Sequence, residues 1–357
     1  MKRVLVAPLD WGLGHAARCI PIIRQLIERK CQVYIASNGR SLELLKVEFP
    51  VLNFFELAPY DPVYPVSGAM AWKMASQLPK FIRTIGREHE QLEDIVREKK
   101  VDLVISDNRY GCWSAHTPSV FITHQSNILM PKRFGWLAGG IRFTNSQMIK
   151  KFSACWIPDL PGDRSLAGTL ADVGNLNASI PHRHIGILSR FVRSAPVEKQ
   201  FDLLCIFSGP EPQRTVLEKI VINQVNTSGL RIAIVRGLPP HEKQDSLNVK
   251  AHVLSFASSA ALQELLNVSD VVLARSGFST VMDLAKLGKK AIFIPTPGQT
   301  EQEYLASQLL KRGIAYAVEQ NGFDLKRAWG ASSAYKGFDP FPADHTLLTS
   351  ALEEALA

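Results

Sequence analysis

Short apolar runs alternate with longer stretches of helical period along most of the chain. Val4–Ala7, Val33–Ser37, Leu103–Ser106 and Val120–Thr123 read as strands, and Ala16–Lys30 and Glu88–Lys99 between them read as helices with charged ends. A second series begins near Asp202. Its strands are Leu203–Phe207, Ile232–Val235, His252–Leu254, Val271–Ala274 and Ala291–Ile294; helices fit at Glu211–Ile222, Ser259–Leu266, Thr280–Leu287 and Glu301–Lys311. Such alternation predicts parallel sheets covered by helices, an α/β chain. Ser189–Gln200 is mostly polar, carries Pro196 and has no period, so it reads as a linker. The expected organisation is two Rossmann-like domains, 1–190 and 201–357, joined by 191–200 and facing across a cleft. Ligands of such open sheets bind beyond the carboxyl ends of the strands. The last stretch, Thr346–Ala357, reads as a helix able to pack on either domain.

Length and composition fit this picture. The chain has 357 residues, 46% hydrophobic and 21% charged, which suits two folded domains and not a disordered polymer. The apolar run Val4 to Leu9 is too short for a secretory segment, and no stretch approaches the roughly 20 apolar residues of a membrane span. A cytoplasmic protein is expected. Cys19, Cys31, Cys112, Cys155 and Cys205 show neither CxxC nor His-paired spacing, which predicts reduced, buried thiols. Lys and Arg exceed Asp and Glu by 41 to 33, giving +8, a surplus that attracts phosphates. Nothing in the chain resembles a nucleic-acid module, so nucleic acid is not expected as a partner.

The first strand runs into Pro8-Leu9-Asp10-Trp11-Gly12-Leu13-Gly14-His15. Gly12 and Gly14 permit close backbone approach, and the following helix offers N–H groups and a positive dipole end. His15 sits at that helix start, where the dipole favours the neutral, proton-accepting imidazole of a general base. The same residues formally match a dinucleotide fingerprint, with Arg40 available to a 2′-phosphate. Four residues separate the strand from the first glycine, however, and no acidic residue ends strand two.

The second half carries a sharper signal. Arg275-Ser276-Gly277-Phe278-Ser279-Thr280-Val281-Met282-Asp283 combines a strand end, a turn of small residues and a helix start. Ser276, Gly277, Ser279 and Thr280 make a phosphate cradle at a helix N-terminus, or alternatively cap that helix. Asp283, placed by this reading in the first turn, can accept two hydrogen bonds from a ribose diol, or merely complement the dipole. Glu301 and Gln302, after Ile294-Pro295-Thr296-Pro297-Gly298, can read sugar hydroxyls or form a solvated acidic turn. The Ser208-Gly209 turn offers a second diphosphate contact, with Arg214 and Arg236 as candidate charges.

At these residues the chain resembles the GT-B glycosyltransferases of the family-28-like group, over nearly its whole length. The resemblance implies that the Ser276–Thr280 turn binds a donor diphosphate and that Asp283, usually Glu in that group, holds the ribose. It further implies that Glu301 and Gln302 read the donor sugar and that backbone near Phe256 holds the base. Gly12 and Gly14 match the group's N-terminal glycine loop, and His184-Ile185-Gly186 resembles the strand closing its first domain. Thr123–Asn127 only loosely matches the acceptor loop. The activity implied is transfer of a sugar from a nucleotide-diphosphate sugar, with a uridine nucleotide expected, by inverting displacement.

No Asp-x-Asp pair occurs, so neither a metal nor another cofactor is expected. His15 is the expected base, with Asp107, at a strand end, as second choice. Closure about Ser189–Gln200 is expected to expel water. Leu129–Phe152 mixes Lys132, Arg133, Arg142, Lys150 and Lys151 with Phe134, Trp136, Leu137, Ile141 and Phe143, the composition of a peripheral membrane surface for a lipid-linked acceptor, or of an ordinary solvated basic face. His116, His182, Arg183 and His184 read as structural. Two other functions remain open on sequence: a nucleotide-sugar 2-epimerase of the same architecture, and a non-catalytic sugar-nucleotide-binding protein.

Overall fold

The computed structural model describes residues 1–63, 76–130, 135–136, 138–174, 180–238, 247–339 and 346–357. These fall into two compact units, the first holding 1–63, 76–190 and 346–357, the second holding 191–238 and 247–339.

In the first unit the elements are β1 (Arg3–Pro8), α1 (Leu13–Glu28), β2 (Gln32–Ser37), α2 (Gly39–Glu48), β3 (Asn53–Glu56), α3 (Leu78–Lys99), β4 (Leu103–Asp107), β5 (Ser119–Ile122), α4 (Ala138–Ile149), β6 (Ala154–Ile157) and β7 (His182–His184). The sheet is parallel, in the order β3-β2-β1-β4-β5-β6-β7. Its strands are apolar runs because both faces are covered: Val4, Leu5, Val6 and Ala7 have no exposed surface. Strand order reverses between β1 and β4, and crevices that bind ligands form at such a switch point.

In the second unit follow β8 (Phe201–Ile206), α5 (Gln213–Ser228), β9 (Ile232–Val235), β10 (His252–Leu254), α6 (Ser259–Val268), β11 (Ser269–Ala274), α7 (Phe278–Leu287), β12 (Lys290–Phe293), α8 (Thr300–Lys311), β13 (Tyr316–Ala317) and α9 (Leu325–Ser332). This sheet too is parallel, in the order β10-β9-β8-β11-β12-β13, and switches between β8 and β11. Its core gathers Leu203, Cys205 and Phe207 with Leu217, Val221, Val271 and Ile292.

Several elements differ from expectation. Helix α10 (Thr346–Leu356), which the sequence boundary puts in the second domain, belongs to the first unit: Thr349 Oγ1 donates to Gln25 Oε1 (3.2 Å), and Glu354 meets Arg183 (2.5 Å). Helix α3 begins ten residues earlier than its charged pattern suggests, with Pro79 in the first turn, where the missing N–H costs nothing. Strand β3 lies at the sheet edge and α2 is short, so neither has a strong period. The linker is pinned to the second unit. Gln263 on α6 bonds the backbone of Val192 in both directions (3.3 and 2.8 Å), and Lys199 Nζ donates to Asn267 O (2.5 Å).

Candidate active site

Helix α1 starts at Leu13 because Gly12, at φ 100°, takes a conformation that side-chain-bearing residues rarely adopt. That start sets His15 in the first turn, beside the carboxyl end of β4 at the switch point. His15 Nδ1 lies 2.9 Å from Asp107 Oδ1. Asp107 ends β4 with no exposed surface. Arg18, one turn along α1, donates from Nε to Asp107 Oδ2 (2.5 Å) and from Nη2 to Oδ1, while its Nη1 lies 3.0 Å from His124 Nδ1. Cys19 Sγ completes the ring of donors at 3.5 Å from Asp107 Oδ2.

Burial works against the charge on Asp107, but the Arg18 guanidinium and then His15 outweigh it, holding the carboxyl below its ordinary range. Burial, then the Arg18 charge, push the His15 pKa down against the pull of Asp107. His15 is therefore neutral at neutral pH. Nδ1 faces Asp107 Oδ1, which accepts, and Arg18 Nη2 at 2.9 Å, which donates; the ionised Asp107 favours the Nδ1–H tautomer, which leaves the lone pair on Nε2. This is the arrangement of an oriented general base.

The start of α2, where the dinucleotide alternative needs a phosphate, is filled from within. Asp10 Oδ1 accepts from the Ser41 backbone N–H (2.9 Å), and the other carboxylate oxygen lies against Gly39. Burial raises the Asp10 pKa while Ser41 lowers it. The helix N-terminus already holds a carboxylate, which removes the place expected for Arg40's phosphate.

In the second unit the corresponding turns lie at the ends of β8 and β11. Ser208 and Gly209 are half-buried, with Gly209 at φ 101° and open space where a Cβ would stand. Gly277 caps α7, and a Cβ there would also meet nothing within 4 Å. The helix ladder begins with Val281 N–H donating to Gly277 O (3.0 Å). The mouth of α7 is thus open, with Ser279 and Thr280 half-buried at its rim. Because α7 begins at Phe278, Asp283 lies in the second turn, not the first. It stands three and four residues after Thr280 and Ser279, hence on their face, and it is half-buried where its neighbours from Val281 to Leu287 are buried.

Residues 214–327 match the model of the glycosyltransferase family 28 C-terminal domain. An uncharacterised glycosyltransferase of Methanosarcina acetivorans is 24% identical over 333 residues, 87% of this chain and 84% of that protein. A UDP-N-acetylglucosamine--N-acetylmuramyl-(pentapeptide) pyrophosphoryl-undecaprenol N-acetylglucosamine transferase of Methylobacterium nodulans is 22% identical, covering 91% of this chain and 85% of its own. The chain is a glycosyltransferase, similar to family 28 over residues 214–327. Its fold is GT-B: Acinetobacter baumannii MurG superposes with TM-score 0.54 at 15% identity over 99% of this chain and 94% of its own, and SnogD of Streptomyces nogalater with 0.60 at 15% over all of both chains.

Three residues expected to touch the donor are engaged in hydrogen bonds within the second unit. Arg275 is buried. Its Nη1 donates to Ile294 O (3.0 Å) and Pro295 O (3.1 Å), and its Nη2 to Gln213 O (2.8 Å) and Gln320 Oε1 (2.6 Å). Burial lowers its pKa to about 10, so it stays charged at neutral pH. Ser276, fully buried, donates its hydroxyl to Gln302 O (2.7 Å), and Gln302 Oε1 accepts from Thr296 N–H (2.9 Å). These bonds tie the α7 mouth to the loop before α8. Glu301 in the first turn of α8 and Phe256 in the loop before α6 stay half-buried. Arg214 and Arg236 are engaged, both pairing with the buried Glu218 and Arg214 also with Glu211.

Sequence reasoning missed Arg18 and gave His124 no task. The signal was there: Arg18 stands three residues after His15 amid Ala16, Ala17, Cys19 and Ile20, a cation on an apolar helix face. Of the basic-apolar stretch, Lys132, Arg133, Phe134 and Leu137 lie outside the described residues; Trp136 and Phe143 are 80% and 66% exposed. Among the described residues no helix is long and apolar enough to cross a membrane.

Proposed function

We propose that the enzyme moves a hexose from a nucleotide-diphosphate sugar, with UDP as the nucleotide, onto a hydroxyl acceptor with inversion. The observation that carries this is the His15–Asp107 pair, 2.9 Å apart at the switch point of the first sheet. His15 Nε2 takes the proton of the acceptor hydroxyl while Asp107 balances the imidazolium that forms. The acceptor oxygen attacks the anomeric carbon, the bond from that carbon to the diphosphate oxygen breaks, and the nucleoside diphosphate leaves with the electron pair. Gly277, Ser279 and Thr280 at the α7 mouth, with the Ser208-Gly209 turn, receive the diphosphate charge; Asp283 holds the ribose diol and Glu301 the sugar hydroxyls. Helix-end amides and hydroxyls supply this stabilisation without requiring a metal. Among the described residues no three His, Cys, Asp or Glu side chains form a metal-holding group.

A lipid-linked acceptor and peripheral contact with the cytoplasmic face of a membrane extend the reading. Exposed Trp136 and Phe143, followed by exposed Lys150 and Lys151, support it, as does the undecaprenol-linked acceptor in the name of the Methylobacterium relative.

The test is a thermal-shift panel of nucleoside diphosphates and their sugars on the intact protein and on His15→Ala. A donor at a hundred times its dissociation constant stabilises the fold by about 2.7 kcal/mol. The expected outcome is the same donor shift in both proteins and turnover, with an acceptor supplied, only in the unaltered one. Absence of a shift with every nucleotide sugar sinks the reading.

A further inference from the structure

Arg18 is the largest charged side chain buried against the proposed base, and the transfer step just described gives it no task. It is 2% exposed and spends all three guanidinium nitrogens on the His15–Asp107 pair and its neighbour. Nε and Nη2 take the two oxygens of Asp107, and Nη1 meets His124 Nδ1 at 3.0 Å. His124 is itself buried in the loop after β5, so the guanidinium ties α1, β4 and that loop together. A carboxylate held by one imidazole alone can rotate; one held along both oxygens by a planar fork cannot.

We propose that Arg18 is a positioning residue of the proton-accepting pair: by locking both oxygens of Asp107 and anchoring on His124, it fixes the carboxylate that keeps His15 in its Nδ1–H form. The inference rests on the reading of His15 as the base. A second consequence follows from distance. Nη2 lies 2.9 Å from His15 Nδ1, and both groups point at the same oxygen, Asp107 Oδ1, so the guanidinium charge stands close enough to oppose a second charge on the resting imidazole. The groups facing His15 are Arg18 from α1, Asp107 from β4 and His124 from the loop after β5, with Cys19 of α1 on the far oxygen of Asp107. Of these Asp107 alone favours the imidazolium, and Arg18 offsets it. The downward push on the His15 pKa by burial and then by Arg18 agrees with this geometry. The enzyme thereby keeps a carboxylate beside its base without having that base protonated before the acceptor arrives.

The test is a pair of titrations on the full-length enzyme, with Arg18→Met and Arg18→Lys compared with the unaltered protein. NMR of the His15 ring reports its protonation without substrate. In Arg18→Met the midpoint is expected to rise by about one pH unit or more, because Asp107 then acts unopposed. The acid limb of kcat/KM is expected to move by the same amount, with kcat reduced and donor affinity unchanged. Arg18→Lys keeps the charge and loses the fork, so its limb stays near the original while kcat still falls. Should Arg18→Met not fold, His124→Leu removes only the anchor and is expected to shift the midpoint upward by a smaller amount. An unmoved His15 midpoint in folded Arg18→Met, or in His124→Leu where Arg18→Met does not fold, overturns the inference. A midpoint that rises while the acid limb stays put leaves the hold of Arg18 on His15 standing and instead overturns His15 as the base.

Discussion

The two switch points of this glycosyltransferase are built in opposite ways. At the first, every charged group is already matched: Asp107 meets His15 and Arg18, and Arg18 meets His124, all buried or nearly so. At the second, the α7 mouth presents open space at Gly277, half-buried Ser279 and Thr280, and a carboxylate one face-step further on. A buried and satisfied ionic cluster suits the movement of a proton, because its pKa values are set before any substrate arrives. A helix end with open space beside it suits the arrival of an anion, since its dipole and amide N–H groups attract negative charge. The cations that sequence offered for the second site, Arg214, Arg236 and Arg275, are all engaged elsewhere. In the proposed function, diphosphate binding there therefore falls to amides and hydroxyls.

Asp107→Asn is the harshest way to break this contrast. The amide keeps the shape but withdraws the charge that faces Arg18 and can turn an N–H toward His15, selecting the wrong tautomer. Turnover is expected to fall by about 10⁴-fold, the scale seen when the orienting carboxylate of a base is lost. Leaving a buried cation unpaired costs about 3–5 kcal/mol of stability, read as a lower melting temperature or denaturant midpoint. Full activity in a folded Asp107→Asn protein would remove the first site from the chemistry.

Gly277→Val tests the openness of the second site. Its φ of −66° is allowed for any residue and a Cβ meets no atom, so the fold is expected to lose only about 1 kcal/mol for a poorer N-cap. The branched side chain then stands in the mouth. Loss of one or two hydrogen bonds to a charged group, about 1.5–3 kcal/mol, corresponds to roughly ten- to hundredfold weaker donor binding. Calorimetry with the nucleoside diphosphate alone separates this from any effect on acceptor. Unchanged affinity would mean that the diphosphate binds elsewhere.

The contrast also explains what could be seen in the sequence. The parallel strands were legible because both faces of each sheet are covered, which turns a strand into a short apolar run bounded by turns. The position of His15 followed from Gly12 and a helix start, which are local. Its partner Asp107 lies ninety-two residues away, and Arg18 joins them only once β1 and β4 pair in register. That pairing is tertiary, so the sequence marks His15 and Asp107 without their bond and leaves Arg18 and His124 unmarked. The bonds of Arg275 and Ser276 escape the sequence for a related reason. Next to a phosphate cradle a cation and a hydroxyl look like ligand groups, yet most of their acceptors are backbone carbonyls, of residues 213, 294, 295 and 302, which no side-chain pattern announces. Asp283 shifted from first turn to second because α7 takes in Phe278 and Ser279, a difference of two residues at a helix end.

That shift gives Asp283→Asn the finest discrimination of the set. A carboxylate in the first turn can be explained by the helix dipole alone, which acts within that turn and is worth about 0.3–1 kcal/mol at an exposed site. In the second turn that explanation weakens, while the shared face with Ser279 and Thr280 keeps Asp283 beside the mouth. If its role were dipolar, Asn would lower the melting temperature slightly and leave ligand preference alone. If it holds the ribose, stability is expected to change little. Affinity for UDP is expected to fall about tenfold, the loss of roughly 1.4 kcal/mol, and the preference for UDP over 2′-deoxy-UDP is expected to shrink with it. The ratio of the two affinities, measured in both proteins, decides the matter: a ratio that survives the substitution means that Asp283 does not read the diol, however much overall binding has changed.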